Sequence, residues 1–229
     1  MALLEVTGLK KSFRDPEGRL TAVLDVPRFE LAAGAQIGLA GTSGTGKTTF
    51  LHCLAGILTA DSGTILLDGQ PMTTGSEAAR DRLRARTLGY IFQTFNLLQG
   101  FTCLENVLLG MSFGPGPQPD RARELLRRVG LADRLNHRPR QLSTGQQQRV
   151  AVARALANHP KLVLADEPTG NLDANNARDA LALIREICHE AGAALICVSH
   201  DPQVLAAFPA QISLANLNLA ARRQDSLTA

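Results

Sequence analysis

Long apolar runs are missing from this sequence. No stretch reaches the roughly 20 residues that a membrane-spanning helix needs, and the run Ala193 to Val198 is of the length that predicts a buried strand. The N-terminus, Met1 to Val6, lacks the charged-then-apolar pattern of a signal peptide. We therefore expect a cytosolic protein.

Cysteine is scarce, and its spacing excludes two classes of protein. The four cysteines are Cys53, Cys103, Cys188 and Cys197. They are widely scattered and show neither a disulfide framework nor metal-ligand spacing. We expect them to be small core residues in a reducing compartment.

A strong charge imbalance is also absent. The net charge is +3 over 229 residues, and the arginines are not gathered into one long basic run. The alternating arginines between Arg80 and Arg86 do not share one helical face, which indicates a solvated surface. We expect no nucleic-acid partner. A hydrophobic content of 45% is enough for a packed core in one large or two small domains.

What the sequence does contain is a phosphate-binding pattern. The pattern G-x-x-x-x-G-K-[ST] is met by Gly41-Thr42-Ser43-Gly44-Thr45-Gly46-Lys47-Thr48-Thr49. Gln36 to Ala40 before it predicts a short buried strand, and the apolar residues from Phe50 to Leu58 recur at helical spacing. Strand, glycine loop and helix form the context that the motif needs. The alternative is a glycine-rich turn with a surface lysine.

The residue types of this loop suit a nucleotide. Glycines let backbone N–H groups curl around phosphate oxygens, and the following helix N-terminus adds partial positive charge. Lys47 can reach the β- and γ-phosphates, and the Thr48 hydroxyl can ligate Mg²⁺. The candidate nucleotide contacts are Gly41, Ser43, Gly44, Gly46, Lys47, Thr48 and Thr49.

The remaining pattern predicts an α/β protein. Short strands and turns surround the phosphate loop, among them two strands predicted over Thr21 to Val26 and Phe29 to Leu31. Helix Glu77 to Arg86 precedes strand Leu88 to Phe92. From Thr94 to Arg140 the strand signals vanish, and one helix, Asp120 to Val129, is indicated in what we interpret as a helical insert. The pattern then predicts a helix, a strand, a helix and a strand, over Gln146 to Asn158, Leu162 to Ala165, Asp173 to Glu190 and Ala194 to Ser199. The last strand, helix and strand have the spacing of a βαβ crossover.

Two carboxylates end a buried strand, in Leu162-Val163-Leu164-Ala165-Asp166-Glu167. Ligands of open parallel sheets bind at the carboxyl ends of strands. Asp166 is then placed to hold Mg²⁺, directly or through water, and Glu167 to accept a proton from an attacking water or to orient it. The alternative is an ordinary acidic strand end.

A second candidate anion site precedes a long helix. In Leu142-Ser143-Thr144-Gly145-Gln146, Ser143 and Gln146 have the spacing of a capping box. A capped helix N-terminus with a glycine beside it can also bind an anion, so the structural and functional interpretations do not compete.

In order and spacing, these motifs resemble the ATPase subunits of ATP-binding cassette (ABC) transporters. Over nearly the whole chain, the matching segments are Walker A at 41–49, Gln93 at a strand end, the signature at 142–146, Walker B ending in Asp166-Glu167, Asn171-Leu172-Asp173, and Ser199-His200-Asp201. The resemblance implies a phosphate-loop core with a mixed or parallel sheet, an antiparallel β subdomain and a helical signature subdomain. The expected division is one cassette, 1–229, with its core in 1–93 and 159–229 and the helical subdomain in 94–158.

The resemblance also implies roles for matching residues. Phe13 occupies the place of the aromatic that stacks on adenine, where the family usually has Tyr; the alternative is a core Phe on an edge strand. Gln93 would sense Mg²⁺ and the attacking water, and His200 would bond the γ-phosphate. Ser143 and Gly145 would contact ATP bound to the other subunit.

Asp173 resembles an aspartate that crosses the interface of a dimer, and it also suits a helix N-cap. The resemblance thus implies Mg²⁺-ATP sandwiched in a homodimer, whose closing and opening drives a membrane permease that contacts residues near 93–107. The expected location is cytoplasmic, peripheral on the inner face of the cell membrane.

A narrower resemblance rests on Asn136-His137-Arg138-Pro139, on residues 101–107 and on residues 164–173. These runs are similar to the bacterial subfamily of lipoprotein-releasing, macrolide-export and cell-division ATPases, which implies export or extraction. Three departures are visible: Thr144 stands where the signature usually has Gly, the segment after Val107 is short, and the tail at 214–217 lacks the usual Asp-Gly turn. Because a β-branched Thr144 stiffens the backbone, we expect an active but slower ATPase.

Other functions share these motifs. A mechanical or regulatory module coupled to a membrane protein without transport would have the same ATPase. A soluble cassette acting on ribosomes or DNA is disfavoured by the single cassette and the lack of a basic face. An inactive subunit is disfavoured because Glu167 and His200 are both present.

Overall fold

The computed structural model describes residues 2–42 and 44–221. They form two sheets, one antiparallel with the strand order β2-β1-β4-β5 and one parallel with the order β6-β7-β8-β3-β9. The antiparallel strands are β1 (Ala2–Arg14), β2 (Leu20–Ala32), β4 (Ser62–Leu67) and β5 (Gln70–Pro71). The parallel strands are β3 (Gln36–Ala40), β6 (Leu88–Ile91), β7 (Leu162–Asp166), β8 (Ala194–Ser199) and β9 (Ala210–Ser213). The predicted α/β class is therefore confirmed.

Helices cover the parallel sheet and extend from it. In chain order they are α1 (Lys47–Leu54), α2 (Glu77–Thr87), α3 (Cys103–Ser112), α4 (Pro119–Arg128), α5 (Thr144–Ala155), α6 (Ala174–Glu190), α7 (Pro202–Ala206) and α8 (Leu214–Leu217). Between β6 and β7 the regular elements are α3, α4, a short 3₁₀ turn and α5, as expected for a helical insert. None of the helices in the described part of the chain combines the length and apolar character needed to cross a membrane.

The parallel sheet has a hydrophobic core on each of its two faces. Every residue of β7 and β8 is buried, and side chains alternate between the two faces of a strand. Leu162 and Leu164 pack with α1 and the antiparallel sheet, whereas Val163 and Ala165 pack with α3, α5 and α6. The continuous apolar pattern of these strands thus follows from cover on both sides.

The four cysteines are free and buried, as the sequence predicted for core residues. Burial raises the pKa of the Cys188 thiol to about 12 and that of Cys53 to about 11. Both thiols are therefore protonated near neutral pH and act as small apolar groups.

The structure corrects one local prediction and adds one helix. Strand β2 runs unbroken through Pro27, where the sequence suggested two short strands. Because β2 is an edge strand, one side of its backbone needs no partner, and a proline is tolerated there. Helix α3, which the sequence analysis did not specify, begins with a capping box between Thr102 and Glu105.

Gly89 is the point where α5 approaches β6. A Cβ on Gly89 would lie 2.3 Å from the Ala155 carbonyl oxygen, which is backbone and cannot move aside easily. We expect Gly89→Ala to lower the free energy of unfolding by about 1–3 kcal/mol through overpacking, measured by urea denaturation. Gly100→Ala is the matched control, because a Cβ there meets nothing within 4 Å. Equal denaturation midpoints for the two variants would show that the packing of Gly89 against the Ala155 carbonyl is not tight.

Candidate nucleotide-binding and catalytic site

The candidate site lies at the carboxyl edge of the parallel sheet. Strand β3 leads into the phosphate loop, β7 ends at Asp166, β8 leads into His200 and β6 leads into Gln93. These strands are neighbours in the order β6-β7-β8-β3. Because parallel strands end at the same edge, residues that are far apart in sequence come together there.

The phosphate loop is closed by short contacts to one carbonyl. The Thr42 carbonyl oxygen accepts hydrogen bonds from Lys47 Nζ at 3.0 Å and from Thr45 Oγ1 at 2.8 Å. Gly46 has a left-handed backbone, with φ 89°, and is the N-cap of α1. The loop therefore leads directly into a helix N-terminus, which favours an anion. Ser43, a predicted contact, lies outside the described residues.

Glu167 is the centre of a charged cluster. Its Oε1 lies 2.9 Å from His200 Nδ1 and 3.6 Å from Lys47 Nζ, and Ser199 Oγ donates to its Oε2 at 3.5 Å. The Glu167 backbone is left-handed, with φ 45°, a conformation that costs a non-glycine residue about 1 kcal/mol or more. That strain occurs where the chain turns out of β7 and the carboxylate meets a lysine and a histidine.

Asp166 differs from Glu167 in having an unused oxygen. Its side chain interacts with the Thr48 hydroxyl and lies near the Tyr90 hydroxyl. Both the Tyr90 hydroxyl and Asp166 Oδ1 are buried without a hydrogen-bond partner among the described residues. Burial raises the pKa of Asp166, opposed by the Thr48 hydroxyl. A buried carboxylate oxygen without a donor, beside a hydroxyl, is the donor set that a hard cation such as Mg²⁺ prefers.

Gln93 belongs to a loop that is held from two directions. Asn171 Nδ2 donates to the Gln93 carbonyl oxygen at 2.7 Å. Arg154 of α5 donates to the carbonyl oxygens of Phe95 at 2.6 Å and of Asn96 at 2.5 Å. Phe95 and Asn96 both have positive φ, 60° and 49°. The loop thus joins the site to the helix that begins after Ser143.

A cleft of about 670 Å³ contains most of the predicted site, a volume typical of small-ligand sites. Its lining residues are Val23, Thr42, Gly44, Gly46, Lys47, Thr48, Thr49, Gln93, Glu167 and His200. Gly41 lies at the base of the same loop, where a Cβ would come within 2.6 Å of Thr45 Oγ1. Asp166 adjoins the cleft through Thr48.

Phe13 is not among the described residues that line the cleft. It is 43% exposed on β1, with Lys11 Nζ 5.5 Å from its ring centroid. Val23 of β2 lines the cleft instead. The stacking of Phe13 on adenine stays a prediction.

Ser143, Gly145 and Asp173 also lie outside the described lining of this cleft. Ser143 is exposed and forms the predicted capping box, with Oγ accepting from Gln146 N at 3.3 Å. The cap uses an acceptor site of the hydroxyl, so its proton remains available to a phosphate oxygen. Asp173 caps α6 by accepting from Asn175 N and Asn176 N.

Several contacts of the site were missed from the sequence. The Thr42 carbonyl is a backbone acceptor without a side-chain signal, and Arg154 lies within a helix whose pattern says nothing of a loop 58 residues away. Asn171 stood in a recognised motif but was given no role. Only for Asn171 could the sequence have pointed to the contact.

The fold and the cleft define a phosphate-loop nucleotide-binding protein. A sequence profile of the family described as ABC transporter matches residues 24–170. A dimeric structure of a post-hydrolysis state of the ATP-binding cassette MJ0796, bound to ADP and Pi, is 31% identical to this chain. It has a TM-score of 0.85 and covers 95% of each chain. A second dimeric structure of MJ0796, described as a bacterial ABC transporter cassette, is also 31% identical, with a TM-score of 0.83 and coverage of 92% of this chain and 94% of that chain.

The chain belongs to the ABC transporter family. It is an ATP-binding cassette ATPase, and the predicted family, fold class, enzyme class and ATP cofactor are confirmed. Both solved relatives are dimers.

Thr144 is the first residue of α5 and is exposed. We expect Thr144→Gly to raise the ATP turnover number about twofold to fivefold, because the first helical turn gains backbone freedom beside the signature contacts. The measurement is phosphate release at saturating ATP. Glycine is a poorer helix former than threonine, so a thermal melt should show no gain in stability. Unchanged or lower turnover would indicate that Thr144 does not slow this ATPase.

Proposed function

We propose that this chain is the ATP-hydrolysing subunit of a transport complex. In this proposal, ATP-driven closure of a homodimer powers export or extraction of a substrate through a separate membrane subunit. The observation that carries the proposal is that only some of the predicted ATP contacts line one cleft. Lys47, Glu167, His200 and Gln93 share one cleft, whereas Ser143 and Gly145 stand at a helix N-terminus outside its described lining.

A second copy of the chain would complete the site. The exposed N-terminus of α5, with Ser143 and Gly145, would face the phosphates held by the partner's phosphate loop. Two helix N-termini would then address one triphosphate from opposite sides, α1 of one copy and α5 of the other. Asp173, at the start of α6, would lie at the same interface.

Within each site the proposed role of a residue follows from its position. Lys47 and the loop amides of Gly41, Gly44 and Gly46 would bind the phosphates. Thr48 and Asp166 would hold Mg²⁺, which neutralises charge that develops on the phosphate oxygens. Ser43 and Thr49 complete the proposed loop contacts, and Phe13 is the proposed adenine contact.

Glu167, Gln93 and His200 are the proposed catalytic residues. The Glu167 carboxylate would orient the attacking water and accept its proton, since it is the acidic group that already lies beside Lys47 and His200. Gln93, which lines the same cleft, would position that water. His200, whose side chain is 67% exposed, can turn from Glu167 towards the γ-phosphate. Closure of the dimer would exclude bulk water and align the reacting groups.

The shared site predicts a trapped dimer. Glu167→Gln should reduce turnover at least about a hundredfold, because an amide cannot accept the proton, while ATP binding remains. We expect this variant to elute as a dimer in gel filtration with Mg²⁺-ATP and as a monomer with ADP.

Two controls make this experiment specific. Lys47→Ala in the Glu167→Gln background should abolish the dimer, because phosphate binding is lost. Ser143→Arg should do the same without weakening ATP binding by a monomer. A Glu167→Gln protein that stays monomeric with saturating ATP would contradict the shared site.

The membrane partner is proposed to bind between the core and the helical insert. We retain the division into a core of 1–93 and 159–229 and a helical subdomain of 94–158. A groove of about 450 Å³ runs between these parts and is lined by apolar groups such as Ile57, Phe92 and Phe113. Of these lining residues, Phe113 is 71% exposed and Ile57 is 47% exposed. Exposed apolar groups around a groove suit a helix of a permease.

This contact would place the chain on the cytoplasmic face of the membrane. The permease would lie beside residues 93–107, the segment that connects the groove-lining residues Phe92 and Gly110. Arg154 lines the same groove and holds the Gln93 loop. A permease helix in the groove would therefore lie next to Arg154, and Arg154 binds the loop after Gln93, which would reach the nucleotide.

Phe113→Ser tests the groove. We expect it to weaken binding to the membrane subunit about tenfold, the effect of losing about 1.4 kcal/mol of apolar burial, while ATP-driven dimerisation is preserved. Co-sedimentation with permease-containing vesicles measures the binding. Leu20→Ser is the matched control, because Leu20 is 60% exposed on β2 and does not line the groove. Equal binding by both variants would place the partner elsewhere.

A further inference from the structure

Asn218 is a buried amide near the end of the described chain. It follows α8, its exposed fraction is 0%, and it contacts segments almost 200 residues away. Its Nδ2 donates to the Val23 carbonyl oxygen at 2.8 Å and to the Thr45 carbonyl oxygen at 3.3 Å. Its Oδ1 accepts from Asp25 N at 2.8 Å and from Ala220 N at 3.2 Å.

These four bonds use the full hydrogen-bonding capacity of a primary amide, which has two donor protons and two acceptor lone pairs. Val23 and Asp25 are alternate residues of the edge strand β2, so the amide of Asn218 binds that edge as a peptide group of a neighbouring strand would. A side chain with only donors, only acceptors or neither cannot reproduce this set. The hydrogen-bond set therefore requires a primary amide at this position.

The bond to Thr45 acts on the phosphate loop. Thr45 stands between Gly44 and Gly46, which both have positive φ, 83° and 89°. In a trans peptide the carbonyl and the following N–H point in opposite directions. A donor that fixes the Thr45 carbonyl thus fixes the Gly46 N–H away from Asn218.

The same amide also fixes the wall against which the loop packs. A Cβ on Gly46 would lie 3.1 Å from the Val23 carbonyl oxygen, and that carbonyl is the other acceptor of Asn218 Nδ2. Val23 and Gly46 both line the cleft. One side chain therefore sets the loop and the cleft wall relative to each other.

We propose that Asn218 is a positioning residue for the phosphate-binding loop. Its side chain holds the Thr45–Gly46 peptide against β2, in the orientation that receives a nucleotide phosphate. This inference rests on the proposed use of the loop for ATP. It gives the segment around α8 a role in ATP affinity, although that segment contributes no residue to the described lining of the cleft.

The test compares Asn218→Asp and Asn218→Leu with wild type. Asp keeps the shape and the acceptors but has no donor, and Leu keeps the approximate volume without either. We expect the Kd and the KM for ATP to rise about tenfold in both variants, as for the loss of one or two buried hydrogen bonds. The turnover number at saturating ATP should stay within about twofold, because no group that touches the attacking water has changed.

Hydrogen exchange of the nucleotide-free protein supplies a readout that ATP does not influence. Backbone amides of residues 44–47 should exchange faster in both Asn218 variants, with the other loops of the site unchanged. Gln36→Leu is the matched control. Its amide donates to the Arg185 carbonyl oxygen at 2.8 Å and accepts from Arg185 Nε at 3.2 Å, at the opposite end of the strand that precedes the loop.

The proposal is overturned if either Asn218 variant binds ATP like wild type and its loop amides exchange at the wild-type rate. It is equally overturned if Gln36→Leu weakens ATP binding as much, since the effect would then be general destabilisation. If Asn218→Leu does not fold, Asn218→Asp decides with the same two measurements. Failure of the wild type to bind ATP would instead contradict the proposed function, and loop exchange would still test the position of Asn218.

Discussion

The side-by-side pairing of β6, β7, β8 and β3 is the constraint on which this structure depends. It places the phosphate loop, Glu167 and His200 at one edge of the sheet and allows the contacts of Glu167 with Lys47 and His200. Strands β7 and β8 are buried along their whole length, so their ends cannot shift independently of the core. Apolar packing beneath the site therefore fixes the positions of its polar residues, which stand at or just beyond the strand ends.

Around this edge, the chain is tied together by side chains that bind backbone carbonyls. Arg154 holds the loop after Gln93 and connects it to α5, whose first turn carries the signature residues. Asn218 holds the phosphate loop against β2. The Arg154 contact fixes Phe95 and Asn96, two non-glycine residues with positive φ, to a regular helix, which is how strained loops persist at functional sites. Through Arg154, the cleft residue Gln93 is thus linked to the helix whose N-terminus is proposed to face the partner's nucleotide.

The success of sequence prediction depended on how local the determining interaction was. Strands β7 and β8 and the phosphate loop were predictable because apolar runs, glycines and the Lys47-Thr48 pair act within a few residues. The continuity of β2 through Pro27 was not, because it depends on the strand lying at a sheet edge. Helix α3 was predictable in principle from the Thr102 and Glu105 cap, whereas the contacts of Arg154 had no local signal.

The sequence by itself determined the family, the α/β class and the identity of the residues at the strand ends, since those depend on motif order and on periodicity. Only the tertiary structure decided which of them meet. It placed Glu167 between Lys47 and His200, left a bare oxygen on Asp166 and left Phe13 outside the described lining of the cleft. It also gave Asn218 its partners. The physical reason is that hydrogen bonds and ion pairs between distant segments depend on strand order and packing, which no local pattern of residues specifies.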